Sequence, residues 1–238
     1  YTTMKVKEWN PQQYAEYNEA KSEEGGVKNS NAEASEDKAG WITLLRKAPS
    51  TFWKVGLVQF FCWAGFLYLW NYSTGAIAET VWNTTDPASE AFQEAGNWVG
   101  ILFAVQAVGS VLWVVVLAMF KNIKLGYSVS LLIAGVGFAL IPFLHNQYLQ
   151  FIPFLMIGAG WAAMLAMPFT LVTNALQGYL GLFNGTICIP QIVAAICGGA
   201  ILSLIGSHQS DMMIVAGVFL VIGALYVPMI KEKKAAAE

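Results

Sequence analysis

The segment GLFNGTICIPQI at residues 181–192 is apolar enough for a lipid bilayer, yet it carries polar and helix-disrupting side chains. Asn184 and Gln191 bear amides, and Pro190 removes one backbone hydrogen bond from a helix. An amide without a partner costs several kcal/mol in hydrocarbon, so it needs a polar neighbour or a water-filled cavity. The segment therefore predicts a transmembrane helix that borders a polar space.

The composition of the whole chain is typical of a membrane protein. Hydrophobic residues make up 56% of the 238 positions and charged residues 12%, whereas soluble proteins contain about 25% charged residues. The formal charge of −2 and the absence of a basic stripe in the sequence argue against a nucleic-acid partner. The three cysteines lie in apolar segments without paired spacing, so we expect no disulfide, metal or cofactor.

Six apolar segments are each long enough to cross a bilayer. A hydrocarbon core of about 30 Å requires roughly 20 residues of α-helix. We therefore predict an all-α membrane protein with a six-transmembrane-helix bundle over residues 51–230. Asp86-Pro87, before the second span, is a pattern typical of a helix start. The predicted spans lie at about 53–78, 97–120, 125–144, 150–174, 180–206 and 212–230.

The sequence on either side of the bundle is polar. Residues 1–50 combine low hydrophobicity with Glu, Lys, Ser, Asn and Gly, so we expect a disordered N-terminal arm that forms a cytoplasmic linker. Residues 231–238 are expected to form a cytoplasmic tail. The chain begins at Tyr1 without an initiator Met or a signal peptide, and we expect it to be a fragment of a longer protein or a processed one.

Lysine and arginine are confined to one side of the predicted topology. All 13 lie in the arm, at the start of the first span, between the second and third spans, or in the tail. Because positive residues stay on the cytoplasmic side, both ends of this chain are predicted to be cytoplasmic, in a cell inner or plasma membrane. The three loops on the other side hold carboxylates instead: Glu79, Asp86, Glu90, Glu94 and Asp211.

Polar side chains are distributed unevenly among the spans. The third and sixth spans have few and can tolerate lipid, whereas the other four carry amides or several aromatic residues. In the first span Gln59, Trp63, Phe66 and Trp70 fall on one helical face. Helix packing explains such a stripe. Sugar binding explains it equally well, because the faces of a pyranose stack on indoles while amides bond its hydroxyls.

The second, fourth and fifth spans add further polar groups. Gln106 either bridges two helices or lines a pore. Pro168 interrupts the hydrogen-bond ladder next to Thr170 and Asn174, and discontinuous helices mark midplane sites in transporters. Small residues four positions apart favour close helix packing or a sliding surface. These pairs are Gly96 with Gly100, Gly181 with Gly185, Ala194 with Gly198, and Ala195 with Gly199.

Asp, Glu, Lys, Arg and His are absent from the middle of every predicted span. Proton relays and ion sites normally use intramembrane carboxylates, so this chain has no evident residue for coupling transport to a cation. Hydrolase motifs and paired carboxylates are absent from the sequence as well, and we do not expect an enzyme.

Three runs of the sequence together resemble a known family. They are VGLVQFFCWAGFLYLWNYSTGAIAETVW at 55–82, EAGNWVG at 94–100 and MPFTLVTNALQGYLGLFNGTICIPQIVAA at 167–195. These runs resemble the C-terminal half of major facilitator superfamily sugar:cation symporters, in the sucrose/proton and glycoside–pentoside–hexuronide branch as found in bacteria. The likeness covers nearly the whole chain, since the arm is similar to the family's central cytoplasmic loop.

The resemblance implies a function and a partner. The six spans would be the seventh to twelfth of a twelve-helix transporter that moves a sugar or glycoside with H⁺ or Na⁺ by alternating access. An N-terminal six-helix half would complete the cavity and supply most of the charged coupling residues. The family places its seventh, eighth, tenth and eleventh helices on the central cavity, and its ninth and twelfth outside. The loop QGYL lacks the basic residues often seen at that turn in the family.

Two functions therefore stay open, namely the symporter half and a stand-alone six-span protein that is a half-size dimeric transporter, a channel or a scaffold. Membrane lipid is a partner in either case. The candidate substrate-binding residues are Gln59, Trp63, Trp70, Asn71, Gln106, Thr170, Asn174, Asn184 and Gln191, and the candidate helix-break or gating residues are Pro168 and Pro190.

Overall fold

The structure, a computed structural model, describes residues 45–173 and 180–230. Regular structure in these residues is entirely helical, which confirms the predicted all-α class. Six of the helices are long and apolar enough to cross a membrane, as the sequence predicts. Most of the predicted N-terminal arm and the whole predicted tail lie outside the described residues.

The helices follow the predicted order with shifted ends. They are α1 Ser50–Val81, α2 Glu90–Met119, α3 Ile123–Leu140, α4 Phe151–Thr173, α5 Leu180–Phe183, α6 Gly185–Leu204 and α7 Gln209–Tyr226. Short 3₁₀ turns continue α3 at Ile141–Phe143 and α7 at Val227–Met229.

The second helix begins earlier than predicted for its span and later than its Asp-Pro pattern suggests. Ser89 is its N-cap, and the Ser89 side chain accepts a hydrogen bond of 3.2 Å from the Phe92 amide. Asp86 instead accepts a hydrogen bond of 3.0 Å from the amide of Ala88, which makes a turn before the helix. The prediction of a helix start at Asp86-Pro87 is wrong because the Ser89 hydroxyl, placed directly before Glu90, caps the first turn.

The fifth span is interrupted, but not at its proline. α5 and α6 are separated at Asn184, whose carbonyl accepts from the amides of Ile187 and Cys188, both at 3.1 Å. Pro168 lies inside α4 and Pro190 inside α6, so neither residue ends a helix. Both prolines are buried by neighbouring side chains, and a packed helix tolerates the loss of one ladder bond. A helix break at Pro168 or Pro190 is therefore corrected to a break at Asn184.

The first helix organises the bundle. α1 packs most extensively on α7 and also contacts α6, α2 and α4. α4 lies between α2 and α3, and α3 packs on α7. Close approaches at glycine hold several of these pairs together. A Cβ atom on Gly217 of α7 would lie 2.7 Å from the carbonyl oxygen of Gly135 in α3, so these helices touch backbone to backbone.

The helices differ in how much of their surface the bundle covers. In the apolar window of each span, 50% of α3 and 44% of α7 is buried, against 22% of α2 and 17% of α6. The two spans that the sequence marks as tolerant of lipid are thus well covered inside the bundle. The least covered helices are two of those predicted to face a cavity. α6 also carries two exposed cysteines, Cys188 and Cys197.

One end of the bundle holds its described lysines. The Lys54 ammonium near the start of α1 donates a hydrogen bond of 2.9 Å to the Met229 carbonyl after α7. Lys121 lies in the turn between α2 and α3, and Lys124 lies in the first turn of α3. Because successive spans alternate in direction, that turn is at the same end as the start of α1.

At the opposite end of the bundle, the side chains of Glu79 and His145 connect the end of α1 to neighbouring elements. Glu79 in the last turn of α1 accepts hydrogen bonds from the amides of Gln209 and Ser210, both at 2.9 Å, at the start of α7. His145 Nδ1 lies 3.0 Å from the carbonyl oxygen of Thr80. These contacts fix the end of α1 against α7 and against the α3–α4 connection.

Candidate ligand-binding site

Gln59 is buried in the contact between α1 and α4. Its side chain is 1% exposed, and its Nε2 donates a long hydrogen bond of 3.5 Å to the Met164 carbonyl. Its Oε1 is fully enclosed and has no hydrogen-bond partner among the described residues. A buried acceptor in that state costs about 1–3 kcal/mol, so this position favours an additional donor.

Three tryptophans meet where α1 crosses α4. Trp63 and Trp70 of α1 both contact Trp161 of α4, with ring centroids 6.0 and 5.7 Å apart, and lie 6.4 Å from each other. Phe66 lies 5.1 Å from Trp161 as well. Trp63 is 8% exposed and Trp70 is 40% exposed, so the cluster extends from the interior to the surface. The predicted stripe on α1 is thus confirmed as one face, and that face packs on α4.

The indole of Trp63 adds a donor to this region. Its Nε1 atom is fully enclosed and lacks an acceptor within residues 45–173 and 180–230. Buried indole N–H groups normally find an acceptor, so the absence of one here is unusual. Gln59 lies one helical turn before Trp63, which places the unmatched acceptor and the unmatched donor on the same side of α1.

Gln106 approaches from α2. Its side chain is 6% exposed, and its Oε1 is enclosed without a donor in the described part of the chain. α2 packs closely on α4 beside Gln106. The Ser110 hydroxyl lies 3.0 Å from the Gly158 carbonyl oxygen and 3.1 Å from that of Gln106. A Cβ atom on Gly158 would overlap the Gln106 backbone oxygen, so only glycine allows this spacing.

One face of α4 connects these groups. Gly158, Trp161 and Met164 follow one another at intervals of three residues, and they contact Gln106, Trp63 and Gln59 respectively. We call the region formed by Gln59, Trp63, Gln106, Trp161 and Trp70 the α1–α2–α4 junction. Among the described residues, the Gln59 and Gln106 amide oxygens and the Trp63 indole N–H in this region lack partners, and the Trp161 ring meets the rings of Trp63 and Trp70 edge to face. Hydroxyl groups, which donate and accept at once, complement that set of atoms.

The other candidates that the structure describes are not shown in contact with the junction. Thr170 Oγ1 donates 3.2 Å to the Ala166 carbonyl, and Gln191 Nε2 donates 3.1 Å to the Ile187 carbonyl, each within its own helix. Asn71 is exposed on α1, and Asn184 is exposed at the break before α6. Asn174 lies outside the described residues. The structure therefore brings together Gln59, Trp63, Trp70 and Gln106, and their role in binding stays a prediction.

Trp161 is the residue of the junction that sequence reasoning missed. It contacts both tryptophans of α1, yet it belongs to no polar stripe on its own helix. A local signal existed, because Trp161 is a bulky aromatic residue between small neighbours, Gly160 and Ala162. Small neighbours let an adjacent helix come close enough for a large ring to reach across.

The side chains of the junction are neutral amides and aromatic rings. Among the described residues, no three His, Cys, Asp or Glu side chains come together as a metal-binding group would require. The junction offers neutral oxygens, one N–H group and aromatic faces, which suit the binding of a neutral solute.

No family model, curated protein or solved structure matches the chain. The resemblance to sugar:cation symporters therefore remains a prediction from the sequence runs, and function has to be inferred from the geometry of this chain.

Proposed function

We propose that this chain is the C-terminal six-helix half of a membrane transporter that carries a sugar or glycoside together with a cation by alternating access. The observation that carries the proposal is the α1–α2–α4 junction, where three tryptophan rings meet and where Gln59 Oε1, Trp63 Nε1 and Gln106 Oε1 are enclosed without partners among the described residues. Sugar hydroxyls would supply the missing donors and acceptor, and the apolar faces of a pyranose would pack on the exposed ring of Trp70.

The uneven burial of the helices supports the presence of a second six-helix half in the transporter. Only 22% of the apolar window of α2 and 17% of that of α6 is buried, against 50% in α3 and 44% in α7. In a transporter of two six-helix halves, substrate is held between the halves near the bilayer midplane. The poorly covered helices are those that a partner half would cover, and the other apolar surfaces would contact membrane lipid.

Coupling to the cation would depend on residues outside this bundle. The described spans hold no Asp, Glu, Lys, Arg or His side chain at mid-depth, whereas cation sites in transporters normally use carboxylates. We assign that role to the N-terminal half. The lysine-bearing end of the bundle would face the cytoplasm of a cell whose inner or plasma membrane holds the protein.

Transport assays with alanine variants test the site assignment. In vesicles that contain the full-length protein, counterflow of a panel of disaccharides and uronides is measured for Gln59→Ala, Trp63→Ala, Asn174→Ala and Gln191→Ala. Each variant is expected to lower uptake about tenfold at unchanged membrane level, because the lost contact is worth on the order of 1–2 kcal/mol. Gln59→Ala and Trp63→Ala should show the largest losses, since both residues lie in the junction.

Matched controls keep the result specific. Trp53→Ala removes a tryptophan that is 54% exposed at the start of α1, and Gln93→Ala removes an exposed glutamine near the start of α2. Both should transport like the wild type. Wild-type kinetics in all four site variants would show that the assignment is wrong.

A half-size transporter that pairs with a second copy of itself is the second candidate. The exposed apolar surfaces of α2 and α6 favour it as much as they favour a distinct partner half. The genomic sequence before Tyr1 separates the two. A six-span coding region directly upstream supports the symporter half, and an initiator Met codon at that point, together with a cross-linked dimer, supports the half-size protein.

A further inference from the structure

The helices α1 and α2 separate toward the end of the bundle that lies opposite its lysines. A Cβ atom added to Gly96 of α2 would lie 3.5 Å from the Thr74 methyl carbon of α1, which is ordinary contact. One turn further along α2, a Cβ atom added to Gly100 would meet no heavy atom within 4 Å in the described part of the chain. A gap therefore opens between the two helices at Gly100.

The ring of Trp70 borders this gap. Trp70 lies one turn before Thr74 on α1, and consecutive spans run in opposite directions, so Trp70 is level with Gly100. Its ring is 40% exposed, while the rings of Trp63 and Trp161 contact it at centroid distances of 6.4 and 5.7 Å. These contacts hold the indole in place and leave part of it uncovered. Because position 100 is a glycine, α2 does not cover that part with a side chain.

Two exposed amide side chains flank the gap, one from each helix. Asn71 follows Trp70 on α1, and Asn97 lies one turn before Gly100 on α2. At a rise of 1.5 Å per residue, Asn71 lies about 15 Å from the end of α1 at Val81. An amide at that depth needs a polar neighbour, because acyl chains cannot hydrogen-bond to it. The gap thus combines an aromatic ring with amide donors and acceptors, which are groups that bind a pyranose.

The gap is separate from the enclosed polar atoms of the junction. At the same helical rise, the backbone of Gln59 lies about 16 Å from that of Trp70 along α1, and Gln106 lies about 9 Å from Gly100 along α2. A single sugar ring in the gap is too short to reach Gln59. It has to move inward along the two helices to do so.

We propose that this gap is an outer subsite on the path of the sugar. A sugar ring stacks there on the Trp70 indole and bonds the amides of Asn71 and Asn97, and it passes through this position between the outer solution and the enclosed atoms of the junction. The inference rests on the proposed sugar transport, and it adds Asn97 and Gly100 to the residues that control access. A larger side chain at Gly100 would fill the subsite without displacing a neighbouring atom.

Thiol labelling of the full-length protein in sealed right-side-out vesicles tests the subsite. In a C188S/C197S background, which removes the two exposed native thiols, Gly100→Cys is labelled with a membrane-impermeant methanethiosulfonate. Sucrose, maltose, lactose and methyl glucuronide are each tested. A sugar that the wild type carries in counterflow, at about ten times its half-saturating concentration, is expected to slow labelling about tenfold. Gln93→Cys, at an exposed glutamine nearer the start of α2, should label at the same rate with and without that sugar.

Transport kinetics give an independent measurement. Gly100→Leu fills the gap and should raise KM for that sugar about tenfold, and Asn97→Ala should raise it about fivefold. Neither change should lower the melting temperature by more than about 1 °C, because both positions are exposed. Ala118→Leu adds a leucine at an exposed position near the other end of α2 and should transport like the wild type.

The outcomes separate this inference from the proposed function. If a sugar that the wild type carries does not protect Gly100→Cys, or protects Gln93→Cys equally, the subsite is wrong while the transport proposal stands. A wild-type KM in Gly100→Leu leads to the same conclusion, and Trp70 is then an anchor at the membrane interface. If Gly100→Leu does not fold, the labelling result decides. If none of the sugars gives counterflow in the wild type, the proposed function is wrong and the subsite with it.

Discussion

Gly158→Ala will push α2 away from α4 and lower the stability of the protein. The new Cβ atom would overlap the Gln106 backbone oxygen and lie 2.7 Å from the Ser110 amide nitrogen and 2.9 Å from the Gly109 carbonyl carbon. These are backbone atoms of a neighbouring helix, which cannot rotate aside. Overpacking of this kind costs about 1–3 kcal/mol and sometimes more.

Thermal unfolding of the purified protein in detergent measures the effect. A loss of about 3 kcal/mol corresponds to a melting temperature lower by about 6 °C or more for a bundle of this size. Gly100→Ala is the matched control on α2, and Gly199→Ala is a second control on α6, because an added Cβ atom at either position meets nothing within 4 Å. Both controls should be neutral or stabilising by about 0.5–1 kcal/mol. Equal melting of Gly158→Ala and Gly100→Ala would contradict the close approach.

Glu79→Ala is expected to release the end of α1 from α7. The carboxylate accepts two backbone hydrogen bonds of 2.9 Å from Gln209 and Ser210, where the N–H groups of α7 point outward and favour negative charge. The side chain of His208, the N-cap of α7, makes no capping hydrogen bond. The Glu79 carboxylate on α1 caps the first turn of α7 instead. A hydrogen bond to a charged group stabilises a protein by about 1.5–3 kcal/mol. Because Glu79 is only half-buried, we expect its two hydrogen bonds together to contribute about 3 kcal/mol to the free energy of unfolding.

A graded series of variants checks this contact. Glu79→Gln keeps one acceptor oxygen and should lose about half of the effect, while Glu94→Ala removes an exposed carboxylate at the same end and should change stability by less than about 0.5 kcal/mol. Free energies of unfolding from chemical denaturation rank the three variants. Equal values for Glu79→Ala and Glu94→Ala would show that the capping contact does not stabilise the protein.

The spans were predictable because the bilayer imposes one rule on every backbone group. Hydrocarbon offers no hydrogen bonds, so a long apolar segment has to be helical, and its length follows from the thickness of the membrane. Five of the six predicted spans emerge as single helices. The ends were less predictable, since they depend on side chains such as that of Ser89, whose hydroxyl competes with the Asp-Pro pattern three residues earlier. The break at Asn184 in the fifth span likewise had a plausible but incorrect candidate in Pro190.

The candidate site was predictable only in part, because its contacts run between helices. The face of α1 that carries Gln59 and Trp63 follows from helical spacing within one segment. Trp161, Gly158 and Gly109 become informative only when α4 is placed between α1 and α2, and spacing along one chain segment does not give that placement. The same holds for the covering of α2 and α6, which depends on neighbours rather than on composition: α2, the most apolar of the six spans, is among the least buried.

The pairing of the first and last helices has a consequence for how the protein is made. Lys54 and Met229 are 175 positions apart in the sequence, yet a hydrogen bond joins them. α1 also has its most extensive packing contact with α7. The ribosome therefore completes α1 well before it produces the helix that covers it. In nascent chains that stop before residue 209, the side of α1 that packs on α7 has no α7 to contact, and this part of the bundle forms only after α7 is made.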